Sequence, residues 1–307
     1  MDMREVILVT FTILAQMSVG AFLVLCVVKF FVARKAGVEE ADRMGDRSLI
    51  AIIAVLGLGL LASVFHLGSP LAAPRAINNL GSSWLSREIL SGSIFFVLGA
   101  VYAGLQLFKL GPAILRTVIS WLAALVGIFL VFSMSMVYYV LPTQPSWNNL
   151  ATPVSFFTTT LLLGALAMGV AFVANFAYIQ KKTPDCADLQ CQLLRSTMRW
   201  IAAVSVILLG VEFVVTPVYL VSLATGVPQA VASAKLIAGP LGPLFLIRMI
   251  LAFLGAGVFG FFLYQNAQSA GREKIMGYMA YTAFTLVLIA EVLGRLVFYS
   301  SHVGMTL

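Results

Sequence analysis

The stretch "SLIAIIAVLGLGLLASVFHLGSPLAAPRAINNLGSSWLSREILSGSIFFVLGAVYAGLQLF", Ser48 to Phe108, holds two long apolar runs separated by a loop of Gly, Ser, Asn and Pro. Each run is about 20 residues, the length an α-helix needs to cross the ~30 Å hydrocarbon core of a bilayer. The pattern repeats along the whole sequence. Of its 307 residues, 61% are hydrophobic and only 10% are charged, against about 25% charged in ordinary soluble domains. Mean hydropathy is +1.02. These values exclude an ordinary soluble enzyme and predict an all-α integral membrane protein.

The apolar runs predict eight transmembrane helices, at about 6–32, 48–66, 88–108, 117–140, 153–179, 200–222, 244–264 and 278–299. Residues 1–307 then form a single polytopic membrane domain, with helices enough for two four-helix bundles. The opening "MDMRE" lacks a basic n-region and the first apolar run is too long for a signal-peptide core, so that run reads as the first membrane helix. Eight crossings return both termini to one side. Orientation follows from Lys and Arg. Arg34, Lys35, Arg43, Arg47, Lys109, Arg116, Lys181, Lys182, Arg195, Arg199, Arg272 and Lys274 fall in the odd-numbered loops, and only Arg4, Arg75, Arg87 and Lys235 lie on the opposite face. This asymmetry places the odd loops in the cytoplasm and both termini outside. It also accounts for the net charge of +7 with no nucleic-acid partner.

The connections 33–47 and 180–199 carry mixed charge and read as solvated cytoplasmic turns. The outer segment 223–243 contains "GPLGPL" and is expected to be irregular. Pro153 suits the first turn of the fifth span, and Trp147 suits an interfacial anchor. Gly255, Gly257 and Gly260 would let helices approach closely. Cys26 lies in a span, where a thiol behaves as a small hydrophobe. Cys186 and Cys191 share a cytoplasmic loop, unfavourable for a stable disulfide, with no neighbouring His or Cys to make a metal site.

Polar groups inside a bilayer are costly, and each needs an account. His66 ends the second span and Glu88 opens the third, so both lie at one membrane depth. They face each other only if these two helices pack together. Ser63 and Ser91 sit three residues away on the same helical faces. Two readings are open for the pair. A histidine near a helix C-terminus and a glutamate in a first turn both complement the helix dipole. Alternatively, the two handle protons at a membrane-edge pocket, taking those released when a lipid-soluble quinol is oxidised. Glu291 and Arg295 are four apart and can form a structural ion pair within one helix; Glu212 and Arg248 can pair across helices. His66 and His302 at helix ends make a poor axial frame for a haem. No phosphate-binding loop, iron–sulfur CxxC series or H-E-x-x-H is present, so electrons handled here would leave through a partner.

"HLGSP" followed by "LSREILSGSIFF", then Thr152, Pro153, Phe156 and Phe157, Arg248 in the penultimate span, and a closing "E-x-L-G-R-x-x-F-Y" resemble the membrane-anchor subunit of dimethyl sulfoxide reductase, one of the polysulfide-reductase-type anchors. The resemblance spans nearly the whole sequence. It implies a cofactor-free subunit of a bacterial cytoplasmic (inner) membrane oxidoreductase, itself without a catalytic centre, haem or metal. Such an anchor binds and oxidises menaquinol to menaquinone. It passes the electrons to a four-cluster iron–sulfur subunit, which feeds a molybdopterin catalytic subunit in anaerobic respiration with an S-oxide or N-oxide. The family's quinol-site histidine and glutamate match His66 and Glu88, with Ser63 and Ser91 beside them. The sequence departs from the pattern where the family has an arginine soon after the HLGSP proline: Ala72 stands there and Arg75 follows three residues later. Before the glutamate, where Asn is common, stands Arg87. Either arginine could assume the missing role. Two other function classes stay in view, a secondary transporter and a purely structural tether. Against the first stand the lack of an evident internal repeat and of paired broken spans.

Overall fold

The computed structural model describes residues 3–66, 79–182 and 187–304, and the side chains of these apart from 3–5, 64–66, 182, 187 and 188. The elements among the described residues are helices, in the order α1 (Met3–Ala36), α2 (Val38–Gly45), α3 (Ser48–His66), α4 (Trp84–Leu107), α5 (Ala113–Tyr139), α6 (Ala151–Lys182), α7 (Ala187–Ala224), α8 (Pro228–Ala238), α9 (Gly242–Ala252), a π-helical stretch (Phe253–Phe259), α10 (Gly260–Asn266) and α11 (Glu273–Ser300). Among them, seven helices are long and apolar enough to cross a membrane. An eighth crossing is reached if Val38–Gly45 and Ser48–Ser63, bent by 45°, count as one span.

Local chemistry sets the helix ends. Ser83 caps α4 by accepting the Ser86 amide at 3.3 Å, which satisfies one of the orphan donors of a first turn. Asn149 accepts the Ala151 amide at 2.9 Å at the start of α6, where Pro153 lies in the first turn. Pro228 begins α8 at a position where its missing N–H costs nothing.

α1 is the spine of the molecule, packing on α3, α5, α6 and α11. Its crossing with α6 is backbone on backbone. A Cβ on Gly20 would meet the Thr160 carbonyl carbon at 2.8 Å, and one on Gly164 would stand 2.5 Å from the Ala21 nitrogen. α3 packs on α4, with Gly57 against Phe96 and Gly92 against Leu60. The condition for the ends of α3 and α4 to converge is therefore met. Gly255, Gly257 and Gly260 serve two partners: Gly255 lies against Ala283 and Val287 of α11, while the other two face Leu209 and Val206 of α7.

Two segments expected as turns and one expected to be irregular contain helices. Residues 38–45 form α2, which buries Ala41, Asp42, Met44 and Gly45. Asn175 of α6 donates to the carbonyls of Arg43 and Met44 at 2.9 and 2.8 Å and accepts from Arg47 at 3.0 Å. Lys29 of α1 and Lys109 beyond α4 both pair with Asp42 and Asp46, at 2.6–2.8 Å. Asp42, Asp46 and Arg47, three of the charges that made this segment read as solvated, are thus consumed by distant partners. Likewise α7 begins at Ala187, well before its apolar run, and Arg195 in that extension pairs with Glu273 at 3.2 Å. The segment 223–243, expected to be irregular, contains α8, held by buried Ala230, Ser233 and Ile237.

Candidate functional site

α4 presents Glu88 one turn into the helix, 8% exposed. Its carboxyl has no hydrogen-bond partner among the described residues. Buried polar groups are nearly always paired, so this one calls for a ligand or a further neighbour. Ser91 shares its one hydroxyl proton between the Arg87 and Glu88 carbonyls at 2.7 and 3.1 Å, so it has no donor left for the Glu88 carboxyl. Ser63 is half-buried on α3. Arg87 turns away from Glu88: it donates to the carbonyls of Leu80 and Gly81, both at 2.8 Å, and its guanidinium lies 4.2 Å from the Trp84 ring centre. It pins the loop before α4. The His66 side chain and all of Arg75 lie outside the described residues, although the α3 backbone ends at His66.

Around this end of the molecule the aromatic side chains are dense. Tyr138, at the end of α5, contacts Trp147, Phe156, Phe298 and Tyr299 with ring centres 5.3–5.8 Å apart. Trp147 donates to the Phe298 carbonyl at 3.0 Å and stacks on His302 at 4.8 Å. Hydroxyls run through the cluster in one direction. Thr12 donates to the Leu8 carbonyl at 2.7 Å, so it must accept from Tyr299 at 3.0 Å. Tyr299 having donated there, it accepts from Tyr138, also at 3.0 Å. Glu88 lies within electrostatic reach of both tyrosines.

A second polar group sits between α1, α6, α7, α9 and α11. Glu212 of α7 and Arg248 of α9 form a close ion pair. Gly294 makes room for it, since a Cβ there would meet Arg248 Cδ at 2.9 Å. The pair expected within α11 is not closed. Arg295 instead donates to Gln16 of α1 at 2.9 Å and lies 3.9 Å over the Phe156 ring, while Glu291 accepts from Thr159 of α6 at 2.7 Å. Side chains four apart can meet on a helix surface, but in a bundle each is also within reach of other helices, and these partners win. Glu212, Arg248, Glu291 and Arg295 line one cleft with room of about 100 Å³. The cleft walls include Thr159, Tyr219, Phe245 and Phe298. Glu212 Oε2 and Arg248 Nε have no partner among the described residues, and a cleft of this size holds several waters at ~10–15 Å³ each.

Among the described residues no group of His, Cys, Asp and Glu is placed to hold a metal ion. Sequence reasoning passed over Gln16, Thr12, Tyr138 and Thr159. Gln16 carried a usable signal, as an amide in the middle of an apolar run; the hydroxyls did not, because Thr and Tyr are common in packed spans.

Residues 1–301 match the family model described as DMSO reductase anchor subunit (DmsC). Three relatives align over almost their whole length. The C chain of anaerobic dimethyl sulfoxide reductase from Escherichia coli (strain K12) is 32% identical, with 97% of the present sequence and 96% of the relative covered. Its namesake from Haemophilus influenzae is 30% identical, with 99% and 97% covered. The YnfH chain of anaerobic dimethyl sulfoxide reductase from Escherichia coli is 32% identical, with 98% and 96% covered.

Proposed function

The protein belongs to the DMSO reductase anchor subunit (DmsC) family, and from that premise we propose that it oxidises menaquinol at the converging ends of α3 and α4 and delivers the electrons to an iron–sulfur subunit docked on the same face. The observation that carries this reading is Glu88, buried and without a hydrogen-bond partner among the described residues, where α4 packs on the helix that ends at His66. A quinol hydroxyl supplies the donor that a lone carboxylate oxygen lacks, and a second hydroxyl can donate to an imidazole nitrogen of His66. Oxidation to the quinone removes two electrons and two protons. The protons pass to Glu88 and His66 and then to water on that face, so no transmembrane proton path is required. The electrons leave through the iron–sulfur partner to a molybdopterin subunit that reduces an S-oxide or N-oxide. Arg87 is engaged with the Leu80 and Gly81 carbonyls, which leaves Arg75 as the cation for the site.

The same reading takes α3 as a span. The protein then has eight crossings, two four-helix bundles joined along α1 and α6, and both termini outside the bacterial inner membrane. The decisive comparison separates quinol chemistry from assembly. In membranes containing the whole complex, His66→Leu and Glu88→Gln are each expected to lower quinol-dependent acceptor reduction by about 100-fold, the scale at which a single acid–base group acts. Reduction driven by an artificial donor to the iron–sulfur subunit should stay intact. Retained quinol-linked turnover in both variants would sink the assignment.

A further inference from the structure

At the end of the bundle opposite Glu88, α1, α2, α4 and α5 enclose a hollow with room of about 330 Å³. Lys29, Arg34, Asp42, Tyr102, Arg116 and Trp121 are among its lining. The charges in and beside it do not balance. Lys29 and Lys109 pair with Asp42 and Asp46 in a closed quartet of two cations and two anions. Arg34 and Arg116 are left over: neither forms an ion pair among the described residues. Arg34 rests on the Phe30 ring at 4.3 Å, and Arg116 spends one N–H on the Gly111 carbonyl at 3.0 Å. Each keeps further donors free, since a guanidinium has five.

Tyr102 adds a donor of a different kind. It is 4% exposed, and its hydroxyl has no hydrogen-bond partner among the described residues although it borders the hollow. Asp46, Asp42 and Arg116 all lie within electrostatic reach of that hydroxyl, and the two carboxylates are already neutralised by Lys29 and Lys109. Beyond the polar part, the surface becomes apolar along the helices. Val27, Phe30 and Phe31 of α1 and Val118, Trp121, Leu122 and Leu125 of α5 are all exposed. Trp121 meets Phe30 edge-on at 6.4 Å, as a side chain at the boundary between headgroups and acyl chains would.

We infer that this hollow binds the phosphodiester headgroup of an anionic phospholipid, held by Arg34, Arg116 and the Tyr102 hydroxyl, with its acyl chains along the exposed faces of α1 and α5. Two uncompensated guanidiniums fit a phosphate in a way that lysines do not, through paired N–H donors. Basic pockets between spans at the positively charged membrane face take such headgroups. The apolar continuation is what distinguishes a lipid from a free anion.

The test uses the assembled, purified complex in mixed micelles of phosphatidylglycerol and phosphatidylcholine, with retained lipid counted by native mass spectrometry. Wild type is expected to retain phosphatidylglycerol selectively. Arg34→Gln with Arg116→Gln should lower that retention about tenfold, with phosphatidylcholine unchanged, and the corresponding lysine pair should lower it less. Tyr102→Phe, which keeps shape and removes only the hydroxyl, should lower it several-fold and carries the test if the glutamine pair fails to assemble. Undiminished phosphatidylglycerol in Tyr102→Phe or in the glutamine pair overturns the inference, as does equal retention of both lipids by wild type. Displacement of the lipid by millimolar inorganic phosphate would assign the hollow to a free anion instead.

Discussion

Arg248 and Glu212 are bound to each other and to little else: Arg248 Nε and Glu212 Oε2 lack partners among the described residues. Removing one member leaves a buried, uncompensated charge, so Arg248→Ala is expected to destabilise the assembled protein by about 3–5 kcal/mol. Replacing both by apolar residues, Glu212→Leu with Arg248→Met, should recover most of that loss, since a buried pair is costly to desolvate. Thermal unfolding in detergent checks both, and an equally unstable double variant would contradict it. The hydroxyl chain makes an asymmetric claim. Tyr138→Phe removes only the terminal donor and should cost about 1 kcal/mol. Tyr299→Phe strands both the Tyr138 hydroxyl and an acceptor on Thr12, and should cost about 2 kcal/mol or more. At this scale the sequence was legible where charge is rare. Glu212 and Arg248 stood out in apolar runs and do pair. Glu291 and Arg295 stood out equally but find Thr159 and Gln16, because i,i+4 spacing shows what can touch on one helix and not what neighbouring helices offer.

Among the elements, α2 shows how a segment rich in charge becomes part of the interior. Burial alone would raise the Asp42 carboxyl, but the hydrogen bonds and charges of Lys109 and Lys29 outweigh it and hold the group below the ordinary value of 3.8. A depressed carboxylate stabilises the fold above its unfolded value and loses that contribution as pH falls through the folded one. Asp42→Asn should therefore destabilise at pH 7, and the difference from wild type should shrink steadily once pH drops below about 4. A pH-independent difference would mean that the quartet acts by shape alone. The crossing of α1 and α6 admits no side chain, so Gly164→Leu is expected to cost more than the usual ~1–3 kcal/mol of overpacking, seen as loss of recoverable complex. Long apolar runs were legible to within a few residues because each must span a fixed thickness. The helices at 38–45, 187–199 and 228–238 were not. The first two are held by Asn175, Lys29, Lys109 and Glu273, contacts that no local pattern announces.

For the whole molecule, polar side chains gather toward two opposite ends of the bundle, with Gln16, Thr159, Glu212, Glu291 and Arg295 buried among the spans and Arg248 paired to Glu212 there. One end gathers Glu88, the close of α3 and a dense aromatic cluster; the other gathers the lysine–aspartate quartet and two spare arginines. Family membership identifies a membrane anchor subunit, and an anchor that also oxidises quinol differs from a mere tether in holding the ligand itself. Of the candidate site, "HLGSP" and the glutamate 22 residues on were legible as two lips of one loop, whereas the engagement of Arg87 with the Leu80 and Gly81 carbonyls depends on how the loop before α4 folds and carries no sequence signal. The most direct measurement is equilibrium binding of a quinol-analogue inhibitor to the purified complex, wild type against Glu88→Gln and His66→Leu. Binding weakened by about tenfold or more in both variants, with the partner subunits still attached, is the expected result. Unchanged affinity in both would contradict a quinol site at His66 and Glu88 and reduce the protein to a tether.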